Sequence, residues 1–91
     1  MKLRGTLLIG ATNVPPTEGT MKALNPATHQ LIEPEFALGG VAQVDQAARL
    51  ADEAFDNYSH TSLPRRATFL DSIADNLDAV RQALAVRAAL E

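Results

Sequence analysis

A chain of 91 residues allows one domain at most, and a domain of that size buries only about 60 to 70% of its unfolded surface. A net charge of -3 leaves no basic footprint for nucleic acid, and the absence of cysteine removes both a disulfide framework and a thiol nucleophile. Apolar runs are too short for a membrane span or for a signal-peptide core in Met1–Ile9, so no membrane partner is expected and the cytoplasm is the default location.

In chain order, Thr6 to Ile9 followed by Gly10 reads as a short strand ended by a flexible residue. Asn13 to Gly19 reads as a turn region, because Pro15, Pro16 and Gly19 resist regular structure. Thr20 to Leu24 resumes an extended pattern that Asn25-Pro26 closes. The expected pairing is a hairpin of Thr6–Ile9 with Thr20–Leu24. Gln30 to Phe36 forms a third extended piece, which Pro34 confines to an edge or irregular strand.

Gly39-Gly40 then releases the chain into two amphipathic patterns. Val44, Ala47, Ala48, Ala51, Phe55 and Tyr58 define one helical stripe from about Val41 to Tyr58, with Asp45–Arg49 and Arg49–Glu53 as candidate ion pairs. After a polar break at Ser59 to Ser62, Leu63, Leu70, Ile73, Ala74, Leu77 and Leu84 define a second stripe. Ser62 is its N-cap and Pro64 is tolerated in the first turn. A bend or break is expected between Asn76 and Arg81, with Asp78 ending one helix and capping another. Two such stripes joined by a short link predict a helical hairpin.

The residues show no catalytic constellation. His29 and His60 lack a second ligand at metal-site spacing. Ser59-His60-Thr61-Ser62 holds a hydroxyl and an imidazole, but capping accounts for Ser62 and adjacent side chains rarely face each other. Glu33 and Glu35 flank Pro34 on what reads as a solvated edge. Gly39 and Gly40 do not form a phosphate-binding glycine pattern. Asp71, Asp75 and Asp78 make a solvated helix face. Arg66 alone asks for more, because its helical angle sets a guanidinium among Leu63, Leu70, Ile73 and Leu77. It either snorkels at the stripe edge or fixes the helix to another part of a larger protein. No catalytic, cofactor-binding or metal-binding residue is assigned.

The run T-M-K-A-L-N-P-A-T-H-Q-L-I-E-P, Thr20 to Pro34, resembles the N-terminal segment of the aldehyde dehydrogenase superfamily, where an N-P-A-T-G turn joins two strands. Val44-Asp45, Ala47, Ala48, Ala51, Ala54 and Phe55 are similar to that family's first helix, and Arg66-Ala67, Phe69-Leu70 and Ile73-Ala74-Asp75 to its second. The opening L-L-I-G, the E-P-E-F after the turn and Y-S-H-T-S-L are most similar to the bacterial 2,5-dioxovalerate (α-ketoglutarate semialdehyde) dehydrogenase branch. His29 departs from the family by standing where glycine is usual. If the turn needs positive φ, that costs about 1 kcal/mol.

The resemblance implies an α+β fragment: an N-terminal β-hairpin with a third extended piece, then two or three amphipathic helices. Residues 1–40 would be the hairpin segment and 41–91 the helical hairpin. Together they would be an incomplete N-terminal part of a coenzyme-binding domain of Rossmann-like α/β type. It also implies, for the parent protein, oxidation of an aldehyde to a carboxylate with NAD(P). The family's catalytic cysteine, glutamate base, oxyanion asparagine and cofactor-binding lysine and glycines would all lie beyond the position of Glu91. This chain would be an inactive scaffold, with the remainder of the parent polypeptide or a second copy covering its apolar helix faces. The other reading is a free-standing, non-enzymatic helical interaction module.

Overall fold

The computed structural model describes residues 1–91. Strand β1 (Leu7–Ile9) pairs antiparallel with β2 (Thr12–Val14), and β3 (Thr20–Asn25) pairs antiparallel with β4 (Gln30–Ala37). Helices α1 (Val41–Ser59), α2 (Leu63–Ala79) and α3 (Arg81–Leu90) follow. The fold is thus an α+β fragment of two hairpins and three helices. No helix is long and apolar enough to cross a membrane.

The hairpin partners differ from those expected. Thr6–Ile9 and Thr20–Leu24 do not pair; each closes on its own next neighbour, with Ile9 opposite Thr12 and Asn25 opposite Gln30. The reason is loop length. Gly10 takes φ 61° in a two-residue turn, the left-handed conformation that tight hairpins require. Closing that short loop costs less entropy than closing across the Pro15–Pro16 segment. Asn13 and Val14, read as turn residues, are therefore in strand, and Thr6 Oγ1 donates to Asn13 Oδ1 at 3.1 Å beside them.

The second hairpin turns on Asn25. Its side-chain Oδ1 accepts from the N–H of Ala27 at 2.9 Å and of Thr28 at 3.3 Å, and its carbonyl accepts from His29 N–H at 2.8 Å. His29 closes the loop at φ 59°, a left-handed position that glycine occupies without strain. Pro34 has the disruptive effect expected. Met21 opposes Phe36 and Ala23 opposes Ile32, so Lys22 faces the stretch Glu33-Pro34-Glu35 in a bulge. Alongside, the Gly5 carbonyl accepts from Ala37 N–H at 2.6 Å, and a Cβ at position 5 would lie 1.5 Å from the Glu35 carbonyl oxygen. Only glycine fits there.

Ser62 caps α2 as expected, its Oγ accepting from Arg65 N–H at 3.3 Å. The break after α2 falls at Val80, within the expected window. Asp78 does not cap α3, however; Val80 stands at that N-cap with no side-chain bond, and Asp78 instead pairs with Arg81. The Asp45–Arg49 and Arg49–Glu53 pairs do not form. All three of those side chains are well solvated, where such pairs gain little.

The larger departure is in packing. The helical hairpin expected from the stripes is absent as a face-to-face pair: α1 and α2 meet only at their junction, and no residue of any helix is buried. An apolar stripe specifies that a face seeks cover, not which surface supplies it. Ile9 is the one buried residue. The accessible surface is 7291 Å², against about 5,100 Å² for a compact monomer of 9.7 kDa. The radius of gyration is 16.7 Å, against about 12 Å for a closed domain of this length.

Candidate functional site

The side chains that converge most closely lie where α1 ends and α2 begins. At the end of α1 the last carbonyls have no intrahelical partner, and the chain supplies a cation to them from the next helix. Arg66 Nη2 donates to the Ser59 carbonyl at 2.8 Å and to the Tyr58 carbonyl at 3.4 Å, while Nε donates to Thr61 Oγ1 at 3.1 Å. Its guanidinium carbon lies 5.4 Å from the centre of the Tyr58 ring, and Phe69 meets that ring edge-on at 6.2 Å. A recess of about 200 Å³ opens here between Tyr58, Thr61, Arg65, Arg66 and Phe69.

Arg66 binds the segment just before α2 in this same chain, which is neither snorkelling into solvent nor a contact with another part of a larger protein. Its polar contacts all lie outside α2, and they join α2 to the negative end of α1. Every donor so engaged points at a protein oxygen of the same corner. The arrangement positions helices and offers no nucleophile or general base.

Ser59 and His60 do come together, with Ser59 Oγ 3.3 Å from His60 Nδ1. The same Nδ1 lies 2.5 Å from the Asp56 carbonyl oxygen, which can only accept. Nδ1 must therefore carry the proton and donate, so it cannot take a proton from Ser59. His29 sits in the β3–β4 turn, remote in sequence and element from His60. No three His, Cys, Asp or Glu side chains gather as a metal ion would require.

Glu33 and Glu35 are not a carboxylate pair poised for acid-base work. Glu33 Oε1 bonds Lys22 Nζ at 2.5 Å across the bulge. The Glu33 hydrogen bond, opposed by slight desolvation and aided by the charges of Glu33 and Glu35, holds the Lys22 ammonium above its ordinary range. Asp71, Asp75 and Asp78 are exposed on the wet face of α2.

Gly39 and Gly40 cradle no anion, because the chain's own groups crowd them. Gly40 N–H donates to Gln43 Oε1 at 2.8 Å. A Cβ at Gly40 would lie 2.7 Å from Glu18 Oε1, and one at Gly39 3.1 Å from Leu7 Cδ1. An incoming phosphate would meet a carboxylate here.

Two contacts had no sequence signal. Arg87 crosses from α3 to β4, its Nη1 donating to the Glu33 carbonyl at 2.6 Å and its Nε to Glu91 Oε1 at 3.0 Å, with its guanidinium carbon 6.0 Å from the centre of the Phe36 ring. Glu18 lies against Gly40 from 22 residues upstream, a juxtaposition that only the folded chain creates.

Residues 14–91 match the model of the aldehyde dehydrogenase family. The chain is 41% identical over 92 residues to the α-ketoglutaric semialdehyde dehydrogenase 2 of Azospirillum brasilense, covering all of this chain and 18% of that protein. It is 34% identical over 74 residues to the α-ketoglutaric semialdehyde dehydrogenase of Acinetobacter baylyi, covering 81% of this chain and 14% of that protein. The chain thus spans less than a fifth of the length of these curated relatives. No solved structure matches it.

Proposed function

The chain belongs to the aldehyde dehydrogenase family, and from that premise we propose that it is the N-terminal scaffold of an NAD(P)-dependent enzyme that oxidises an aldehyde to a carboxylate. The names of the two relatives favour α-ketoglutarate semialdehyde as that aldehyde, and the cytoplasm is the setting this proposal gives it. The observation that carries the scaffold role is the uncovered surface. About 2,200 Å² more is exposed than a closed monomer of this mass would show, which is the scale of a permanent interface. The apolar faces of α1, α2 and α3 are where a larger polypeptide would pack.

The N-termini of α1 and α2 give the nicotinamide cofactor no open cradle. The N-terminus of α1 is crowded by Gln43 and Glu18, and Ser62 occupies that of α2. Cofactor binding and chemistry therefore belong to other parts of the protein in this proposal.

Exposed stripes on all three helices also favour the second reading, a free-standing interaction module. One set of measurements separates the two. Residues 1–91 are purified, assayed for aldehyde-dependent NAD(P) reduction, titrated with cofactor and weighed by light scattering. The scaffold reading expects no turnover, no saturable cofactor binding, and either self-association or a loosely packed monomer. Turnover or saturable binding would overturn it, and a compact monomer with cooperative unfolding would favour the module.

A further inference from the structure

The first turn of α1 contains no acidic residue, and its N-cap, Gly40, has no side chain with which to accept a hydrogen bond. Such a helix leaves its positive end without a local anion. The structure places one there from elsewhere. Glu18 comes from the loop between β2 and β3, and its carboxylate lies so close to Gly40 that an added Cβ would be 2.7 Å from Oε1 and 2.9 Å from Cγ. The next residue of that loop, Gly19, takes φ 91° and accepts a hydrogen bond from Leu38 N–H at 2.9 Å. Two successive loop residues thus contact two of the three residues that lead into α1, Leu38 and Gly40.

We propose that the Glu18-Gly19 loop is a strap across the start of α1, in which the Glu18 carboxylate supplies the negative charge that the helix's own first turn lacks. The strap joins the β half of the chain to the helical half electrostatically at Gly40 and through the backbone at Leu38. Gly40 is part of the device, since a side chain there would displace the carboxylate. This inference is independent of the aldehyde dehydrogenase chemistry, and its test needs no activity.

The experiment compares the 91-residue chain with Glu18→Gln and Glu18→Asp by residue-resolved hydrogen exchange at low ionic strength. Two amides report. Val44 N–H donates to the Gly40 carbonyl at 3.2 Å in the first turn, and Leu38 N–H to Gly19. Glu18→Gln keeps the size of the side chain and removes its charge, so both amides should exchange about two- to five-fold faster, the range expected of one exposed charge at a helix end. At about 1 M salt, where the screening length is about 3 Å, the difference from the parent chain should vanish. Glu18→Asp should recover part of the protection. Unchanged Val44 exchange in Glu18→Gln would overturn the electrostatic role. Faster Val44 exchange with unchanged Leu38 would overturn the strap, and a difference that survives high salt would show packing rather than charge at work.

Discussion

Replacing Arg66 by methionine tests the corner that joins α1 to α2, because methionine keeps most of the aliphatic stem and removes only the fork. The change deletes contacts of 2.8, 3.1 and 3.4 Å, the last of them marginal. A hydrogen bond from a charged group contributes about 1.5–3 kcal/mol in mutational series. The corner is half-exposed, so water can take over the freed Ser59 carbonyl, and the Tyr58 carbonyl keeps its bonds from the Thr61 N–H and hydroxyl. The expected net loss is therefore the contribution of one such bond rather than three, about 1.5–2.5 kcal/mol. With a urea slope of about 1 kcal/mol/M for a chain this small, the midpoint of helix loss at 222 nm should fall by about 1.5–2.5 M. Arg66→Lys keeps a charge at the negative end of α1, worth about 0.3–1 kcal/mol, but cannot fork. It should lose less than methionine does. The reasoning fails if Arg66→Met melts with the parent chain, or if Arg66→Leu is more stable than arginine.

Two further outcomes follow from the β half. His29→Gly should stabilise the chain by about 0.5–1 kcal/mol, since glycine removes left-handed strain at φ 59° but adds unfolded-state entropy; a lower urea midpoint would mean that the imidazole contributes something the geometry does not show. Lys22 is held above its ordinary 10.5 by Glu33, so its contribution to folding is complete below that value and is lost as pH rises through the raised one. Strand β3–β4 signals should therefore weaken in strong alkali, and Lys22→Gln should remove that alkaline component while leaving neutral behaviour in place.

What the sequence made legible was local. The spacing of Val44 to Tyr58 and of Leu63 to Leu77 marks helices, Ser62 marks a cap, and Asn25-Pro26 marks a turn, because each signal acts within a few residues of itself. Arg66 was legible as an anomaly, since a guanidinium on an apolar stripe needs an acceptor and the acids of α2 lie on its other face. The hairpin partners were not, because Thr6–Ile9 and Thr20–Leu24 look equally extended and only the entropy of closure at Gly10 decides between near and far. Nor was the separation of α1 from α2 legible, for a stripe carries no address. Glu18, Gly5 and Arg87 act across distances in sequence at which periodicity is silent.

Arg66 and Arg87 have a joint consequence. Among the residues of α2 and α3, Arg66 grips the end of α1 and Arg87 is the one whose side-chain hydrogen bonds reach back to β4. The two helices are therefore suspended at two points, like a beam on two brackets, with a bend at Val80 between them and their apolar stripes exposed. A beam held at one end sweeps a cone; held at both, it presents a single face at a set angle. Part of the orientational freedom that an encounter would otherwise have to remove is restricted at these two contacts before any surface arrives to cover the stripes.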